Sequence, residues 1–464
     1  MINIIKKSFR AFILINFLFS FVCLQHVILE LKNYNEDKLN SINDDIFSYE
    51  NFIDIMKDND IYTKIKIGKP EQEIIAWINT EEYSYFIFKD ICKLDSNYNE
   101  NKSSTFKPNY ERKFFYGDYG KTIFINEYIS IEEKEIYNFP IMFMKDPKND
   151  EFFNQRFSIN DITNKTCATI GLRFIKNYND NTSKNFISVL HDLDIINDYI
   201  LFIEYDKTGK ETFLLLGEYP EMIFKNKYSY KGSNIVNIKI YNRFKPQWGF
   251  QCDKIFSGNI KIEKNDIALH HNLGVIYAPE EYLEIIEKTF FSYYINLKIC
   301  SRKNNGKYIF FFCKKIIIEN EIEKFPELKL IKNEFEEEFI LTYKDLFYTK
   351  GNNTYFLIVF HYLYNEIWEL GKPFLKKYLF AYNFDSKIII HYNKTDEISF
   401  DKKELKKKKN FYKYIIIFAI FIGILFFLLG KRLYKRNKKI IMAKELENNF
   451  SYYYNYNKTK LIYE

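Results

Sequence analysis

Glycine and proline are scarce in this chain, 15 and 9 among 464 residues, and tryptophan, methionine, cysteine and histidine number six or fewer each. There is no Gly-x-Ser-x-Gly elbow, no His-Glu-x-x-His pair and no glycine-rich phosphate loop, so the corresponding serine-hydrolase, zinc-protease and nucleotide readings fall away. No two cysteines have the spacing of a zinc knuckle, and neither a metal nor a cofactor is implied. A basic face for nucleic acid is missing too. Residues 401–444 hold fourteen basic and two acidic side chains, more than the whole formal net charge of +7, which leaves the rest of the chain mildly acidic. What is abundant is Lys, Asn, Ile, Tyr and Phe, the bias of AT-rich coding, so lysine runs carry little functional weight. With 47% hydrophobic and 19% aromatic residues the chain is not a disordered one.

The ends read as targeting and anchoring segments. Lys6, Lys7 and Arg10 precede an apolar run to Leu24, the plan of a signal peptide over 1–24 with cleavage near Cys23 to His26. Residues 414–430 are apolar and uncharged, which predicts one transmembrane helix. Seven basic residues flank it on each side, so charge does not orient it. The signal decides the orientation, and predicts a type I protein of the secretory pathway or cell surface. It has a lumenal or extracellular ectodomain, a basic juxtamembrane linker at 396–413 and a cytosolic tail at 431–464, whose charge suits anionic lipid. Asn101, Asn164, Asn181, Asn352 and Asn393 head glycosylation acceptors in the ectodomain. Six cysteines in a secretory chain indicate disulfides, with Cys300 and Cys313 the favoured pair. Cys92, Cys167 and Cys252 then leave one thiol over.

Residues 25–60 are acidic and lightly apolar, a propeptide-like or entry segment. From Ile61 onward, short runs rich in Ile, Phe, Tyr and Val alternate with Asn, Asp, Gly and Lys: IYTKIKIG, KTIFINEYISI, ILFIEY, ETFLLLGEY, IVNIKIY, KYIFFF and KYLFAYNFDSKIIIHY. This predicts a mostly β fold, with amphipathic helices around Phe186 to Leu193 and Pro279 to Tyr293. The two halves repeat a theme of apolar strand, tripeptide and later an apolar-apolar-Gly element. The pieces are Asn79-Thr80-Glu81 with Thr169-Ile170-Gly171, then His270-His271-Asn272 with Glu369-Leu370-Gly371.

These pieces resemble the pepsin-like eukaryotic aspartic proteases, the membrane-anchored plasmepsins among them. Gly68, Pro70 and Gln72 match the family's Gly-x-Pro-x-Gln run, and counting on sets Asn79 at the catalytic aspartate, Thr80 at the threonine and Glu81 at the glycine. Ser103-Ser104-Thr105-Phe106 is similar to a conserved turn of that family, and Tyr116-Gly117 to the start of its flap. Pro279 fixes His270 as the second aspartate equivalent, while Phe325-Pro326, Trp368 to Tyr378 and Phe384-Asp385 resemble later motifs. The resemblance spans about residues 60 to 393. It implies a bilobal fold with pseudo-two-fold lobes at 61–220 and 221–395 sharing one cleft.

Hydrolysis on such a fold needs two carboxylates about 3 Å apart sharing a proton. Asn79 cannot titrate, and His270 lacks an acidic partner. Glu81 and Asn272 replace both loop glycines, and His271 stands at the second threonine position, so the loops are expected to be obstructed and their crossing contacts rebuilt. The implied protein is a pseudoprotease that binds a peptide or protein partner in its cleft. An active aspartic endopeptidase would need another Asp-Thr/Ser-Gly pair, which the chain lacks. A surface or adhesion scaffold would need a cleft filled by side chains. Glu81 and Glu82 opposite His270 and His271 predict a carboxylate–imidazole contact that raises a histidine pKa. Trp77, Tyr83, Tyr85 and Phe86 read as packing residues.

Overall fold

The computed structural model describes residues 26–33, 52, 55–56, 61–80, 85–88, 97–115, 121–132, 134–146, 167–173, 185–205, 212–224, 227–237, 248–258, 260–315, 321–361, 367–394 and 402–463, some by backbone alone. The expected signal peptide, Tyr83 and residues 396–401 of the juxtamembrane linker lie outside these residues, and 402–413 are described by backbone alone. Leu24–Ile398 forms one compact unit, and the helix Lys402–Tyr463 belongs to a second.

The first unit is mostly β. Among the described residues its strands form sheets of 14 and 11 strands. The strand Ile61–Ile67 shows the local logic, because Ile61, Thr63, Ile65 and Ile67 are buried while Lys64 and Lys66 face water. Its partner Gln72–Asn79 loses that alternation in its last four residues, all buried. There it is flanked on one side by Ile61–Ile67 and on the other by a parallel strand, Ala168–Gly171. Between the two antiparallel strands, Gly68 takes a positive φ of 77°, and a Cβ there would stand 2.8 Å from Ser103 Oγ, so the turn requires glycine.

The two sheets repeat one pattern. In the first, Ala168–Gly171 lies between Gln72–Asn79, to which it is parallel, and Phe86–Phe88, to which it is antiparallel; Phe86–Phe88 in turn pairs parallel with Lys134–Asp146. In the second, Trp368–Leu370 lies between parallel Ile260–Leu269 and antiparallel Ile276–Ala278, which pairs parallel with Ile358–His361. The apolar-apolar-Gly elements of the sequence are thus the central strands of two equivalent units. Gly371 ends the second because a Cβ there would fall 2.2 Å from Val275 O and 2.4 Å from Leu273 O.

Both expected helices form, as Phe186–Asp192 and as a continuous helical stretch from Glu280 to Asn296. Two departures stand out. The entry segment contributes Val27–Asn33, a strand between Thr212–Leu216 and Ile61–Ile67. Parts of the expected second lobe, Tyr228–Ser229, Ile235–Asn237, Leu379–Asn383 and Ile388–Lys394, join the first sheet, where Leu379–Asn383 pairs with Ile200–Glu204. The sequence pattern carried the strands but not this crossing.

Lys402–Tyr463 contains the apolar run 414–430, and its described side chains from Phe418 to Leu429 are largely exposed. Among the described residues no helix is long and apolar enough to cross a membrane, and the side chains of 402–417 are not among them.

Candidate functional site

Asn79 ends its strand and is buried, its carbonyl accepting from the Leu172 amide at 2.8 Å. Thr80 follows. From the second sheet, His270, His271 and Asn272 leave the end of Ile260–Leu269, all three buried. Asn272 joins the two loops. Its Oδ1 accepts from the Thr80 amide at 2.9 Å and from the Thr80 hydroxyl at 2.8 Å, and its Nδ2 donates to the Ile78 carbonyl at 2.8 Å. The expectation that Asn272 obstructs the loops is corrected: the side chain at the expected glycine position is itself the crossing contact, since one amide matches an amide donor, a hydroxyl donor and a carbonyl acceptor at once.

His271 points elsewhere. Its Nδ1 lies 2.8 Å from the Tyr205 hydroxyl and its Nε2 2.7 Å from the Tyr382 hydroxyl, so the neutral ring donates to one phenol and accepts from the other. Burial first, and His270 beside it second, push its pKa down to about 3. The raised histidine pKa expected from a carboxylate partner is therefore corrected for His271, whose partners are phenols in a buried site. Burial likewise pushes both phenols well above their ordinary value. His270 donates its backbone N–H to Leu370 O at 3.0 Å. Glu81, Glu82 and Tyr116 lie outside the described residues. No group of His, Cys, Asp and Glu among the described residues is arranged to hold a metal ion.

The first-half motif residues gather at one corner. Gln72 donates to Asn99 O at 3.0 Å and accepts from the Asn99 amide at 2.9 Å, and Ser104 N donates to Lys69 O at 2.8 Å. Beneath them Glu127, fully buried, accepts from the hydroxyls of Tyr98 and Thr105 and from the Tyr128 amide. Sequence reasoning missed Glu127, whose only signal was a glutamate at an inward position of a strand. It also missed Tyr205 and Tyr382. Glu369 is buried on Trp368–Leu370 with Oε2 unbonded among the described residues, and it aligns with Ala268 and Tyr277 on the neighbouring strands.

Tyr85 packs edge-on against Phe139 and Phe186, as a core residue does. Cys300 and Cys313 are bonded across neighbouring strands, Cα atoms 4.0 Å apart. Cys167 is disulfide-bonded to a partner outside the described residues, and Cys252 is free, buried and raised to about 11 by that burial. Asn101, Asn352 and Asn393 are exposed; Asn164 and Asn181 lie outside the described residues.

With this geometry in hand, a scan of family models finds no match, and a search of curated proteins finds none either.

Proposed function

We propose that the chain is a membrane-anchored homologue of the pepsin-like aspartic proteases that has lost hydrolysis and binds a peptide or protein partner between two lobes. The observation that carries this is the bridge from Asn272 to Thr80 and Ile78. It joins the two loops that carry Asn79 and His270, the positions where the resemblance calls for a pair of carboxylates and the chain supplies an amide and an imidazole. That pair cannot share a proton to activate water as two carboxylates do. The equivalent pairing of Ala168–Gly171 and Trp368–Leu370 supports the pseudo-two-fold part of the reading. Exposed apolar side chains from Phe418 to Leu429 support an anchor at 414–430, and with it a type I secretory or surface location.

The test is incubation of the purified full chain with a peptide library from about pH 3 to 7, followed by mass spectrometry, the range in which paired carboxylates work. Peptides are retained intact, and a bound subset slows amide exchange around Thr80 and Asn272. Pepstatin-sensitive cleavage would overturn the reading.

A further inference from the structure

Glu369 is only 5% exposed, and its Oε2 has no hydrogen-bond partner among the described residues. A buried carboxylate is normally paired, because one left unmatched has given up its water without replacement. Strand pairing sets it in a row across the second sheet, in the order Gly249, Ala268, Glu369, Tyr277 and Val359, whose members share one face. Their chain neighbours Ile267, Trp368, Leu370 and Ile276 belong to the main core on the other face. The equivalent row of the first sheet runs Tyr62, Trp77, Thr169, Phe86 and Met142. The second sheet therefore sets glycine and alanine where the first has two aromatic rings, and a carboxylate where the first has a hydroxyl. The volume of those rings is missing on one side of the unmatched group. Two residues before Ala268, on the same face, the half-buried Asp266 accepts from the exposed Gln251 at 3.2 Å, so the row next to this one reaches water.

We propose that Glu369 anchors a basic side chain, lysine or arginine, of the peptide partner, with the aliphatic stem of that side chain lying over Gly249 and Ala268. The inference rests on the peptide-binding reading above and names a residue the peptide must carry. Charge complementarity selects the occupant. A cationic head supplies Oε2 with the charge-assisted hydrogen bond it lacks, while the stem covers apolar surface. An acidic residue is repelled by Glu369 and by Asp266 alike, and an aliphatic one leaves Oε2 as unmatched as before. In strand order Gly249 and Ala268 lie on the far side of Glu369 from Tyr308–Lys314, whose Phe310 is stacked under Phe52, so the stem and Phe52 occupy different parts of the face.

The probes are pools of random peptides, labelled with fluorescein at the amino terminus and free of basic residues except at one fixed central position, which is lysine, its uncharged counterpart norleucine, or glutamate. Each pool is mixed with the full chain in detergent micelles and followed by anisotropy. The lysine pool binds about tenfold more tightly than the norleucine pool, the glutamate pool binds most weakly, and Glu369→Gln, which keeps the shape of the side chain, makes the lysine and norleucine pools equal. Should that variant fail to fold, carbodiimide coupling on the wild type decides, because it joins the lysine amine to the carboxylate it touches and mass spectrometry maps the link to Glu369. Equal binding of the lysine and norleucine pools by wild type, a lysine preference kept by folded Glu369→Gln, or links to other carboxylates alone overturns the site. The same pools separate the two readings. If all of them bind without preference, interlobe peptide binding stands and the basic-residue site falls; if none binds, both fall.

Discussion

Asn272 makes three hydrogen bonds with one side chain, two received and one given. Asn272→Ala leaves the Thr80 amide and the Ile78 carbonyl unmatched in a buried place, and is expected to cost about 2–4 kcal/mol in urea denaturation. A cost under about 0.5 kcal/mol would mean the bridge contributes nothing. His271 sets a pH dependence of definite sign. Its folded pKa of about 3 lies below the unfolded value near 6.5, so the folded state holds the ring neutral and the unfolded chain takes the proton first. The stability it supplies is complete above pH 6.5 and is lost as pH falls towards 3, with a slope of up to about 1.4 kcal/mol per pH unit. His271→Gln, which hydrogen-bonds but does not titrate, flattens that part of the profile in denaturation measured at pH 7, 6, 5 and 4. An unchanged slope refutes the assignment. The resemblance pointed to Asn79, Thr80, His270, His271 and Asn272, of which the structure joins Thr80 to Asn272. It did not indicate what they touch, because Tyr205, just past Ile200–Glu204, and Tyr382, within Leu379–Asn383, are distant in sequence and carry no local signature, and an asparagine read as an obstruction fits when its amide meets complementary groups.

The runs of Ile, Phe, Tyr and Val found the strands, since half-buried strands must alternate and buried ones must be apolar on both sides. Ile61–Ile67, Thr212–Leu216, Tyr308–Lys314 and the hairpin Leu379–Asn383 with Ile388–Lys394 all stand where such runs occur. Val27–Asn33 was missed because the acidic residues around it outweighed a seven-residue strand in composition. Among these elements the hairpin of Cys300–Asn304 and Tyr308–Lys314 carries its own staple. Cys300→Ser with Cys313→Ser reopens a loop of 13 residues' separation and is expected to cost about 3 kcal/mol, by the chain-entropy account. Thermal unfolding of the double variant, with peptide mapping of the wild type under non-reducing conditions, checks it; two free thiols in the map refute the bond.

Over the whole molecule, one end of the first sheet carries a charge cluster, centred on the buried Glu204 and Lys227, that sequence could not assemble. Glu204 meets Lys227 at 3.1 Å, Lys394 at 2.7 Å and the Tyr228 hydroxyl, tying Ile200–Glu204 to the last strand of the unit. Glu204→Gln leaves Lys227, itself nearly inaccessible, without its carboxylate, and is expected to cost about 3–5 kcal/mol. Proteolytic release of the segment after residue 387 reports the same event, and a variant as resistant as wild type refutes it.

Val27–Asn33 holds Thr212–Leu216 on one edge and Ile61–Ile67 on the other. A maturation cut before Val27 leaves that order whole. A cut within 34–51 severs the covalent link while the strand keeps both ladders of hydrogen bonds, so the processed molecule would be a heterodimer of one short and one long chain, two bands on a reducing denaturing gel and a single particle in solution.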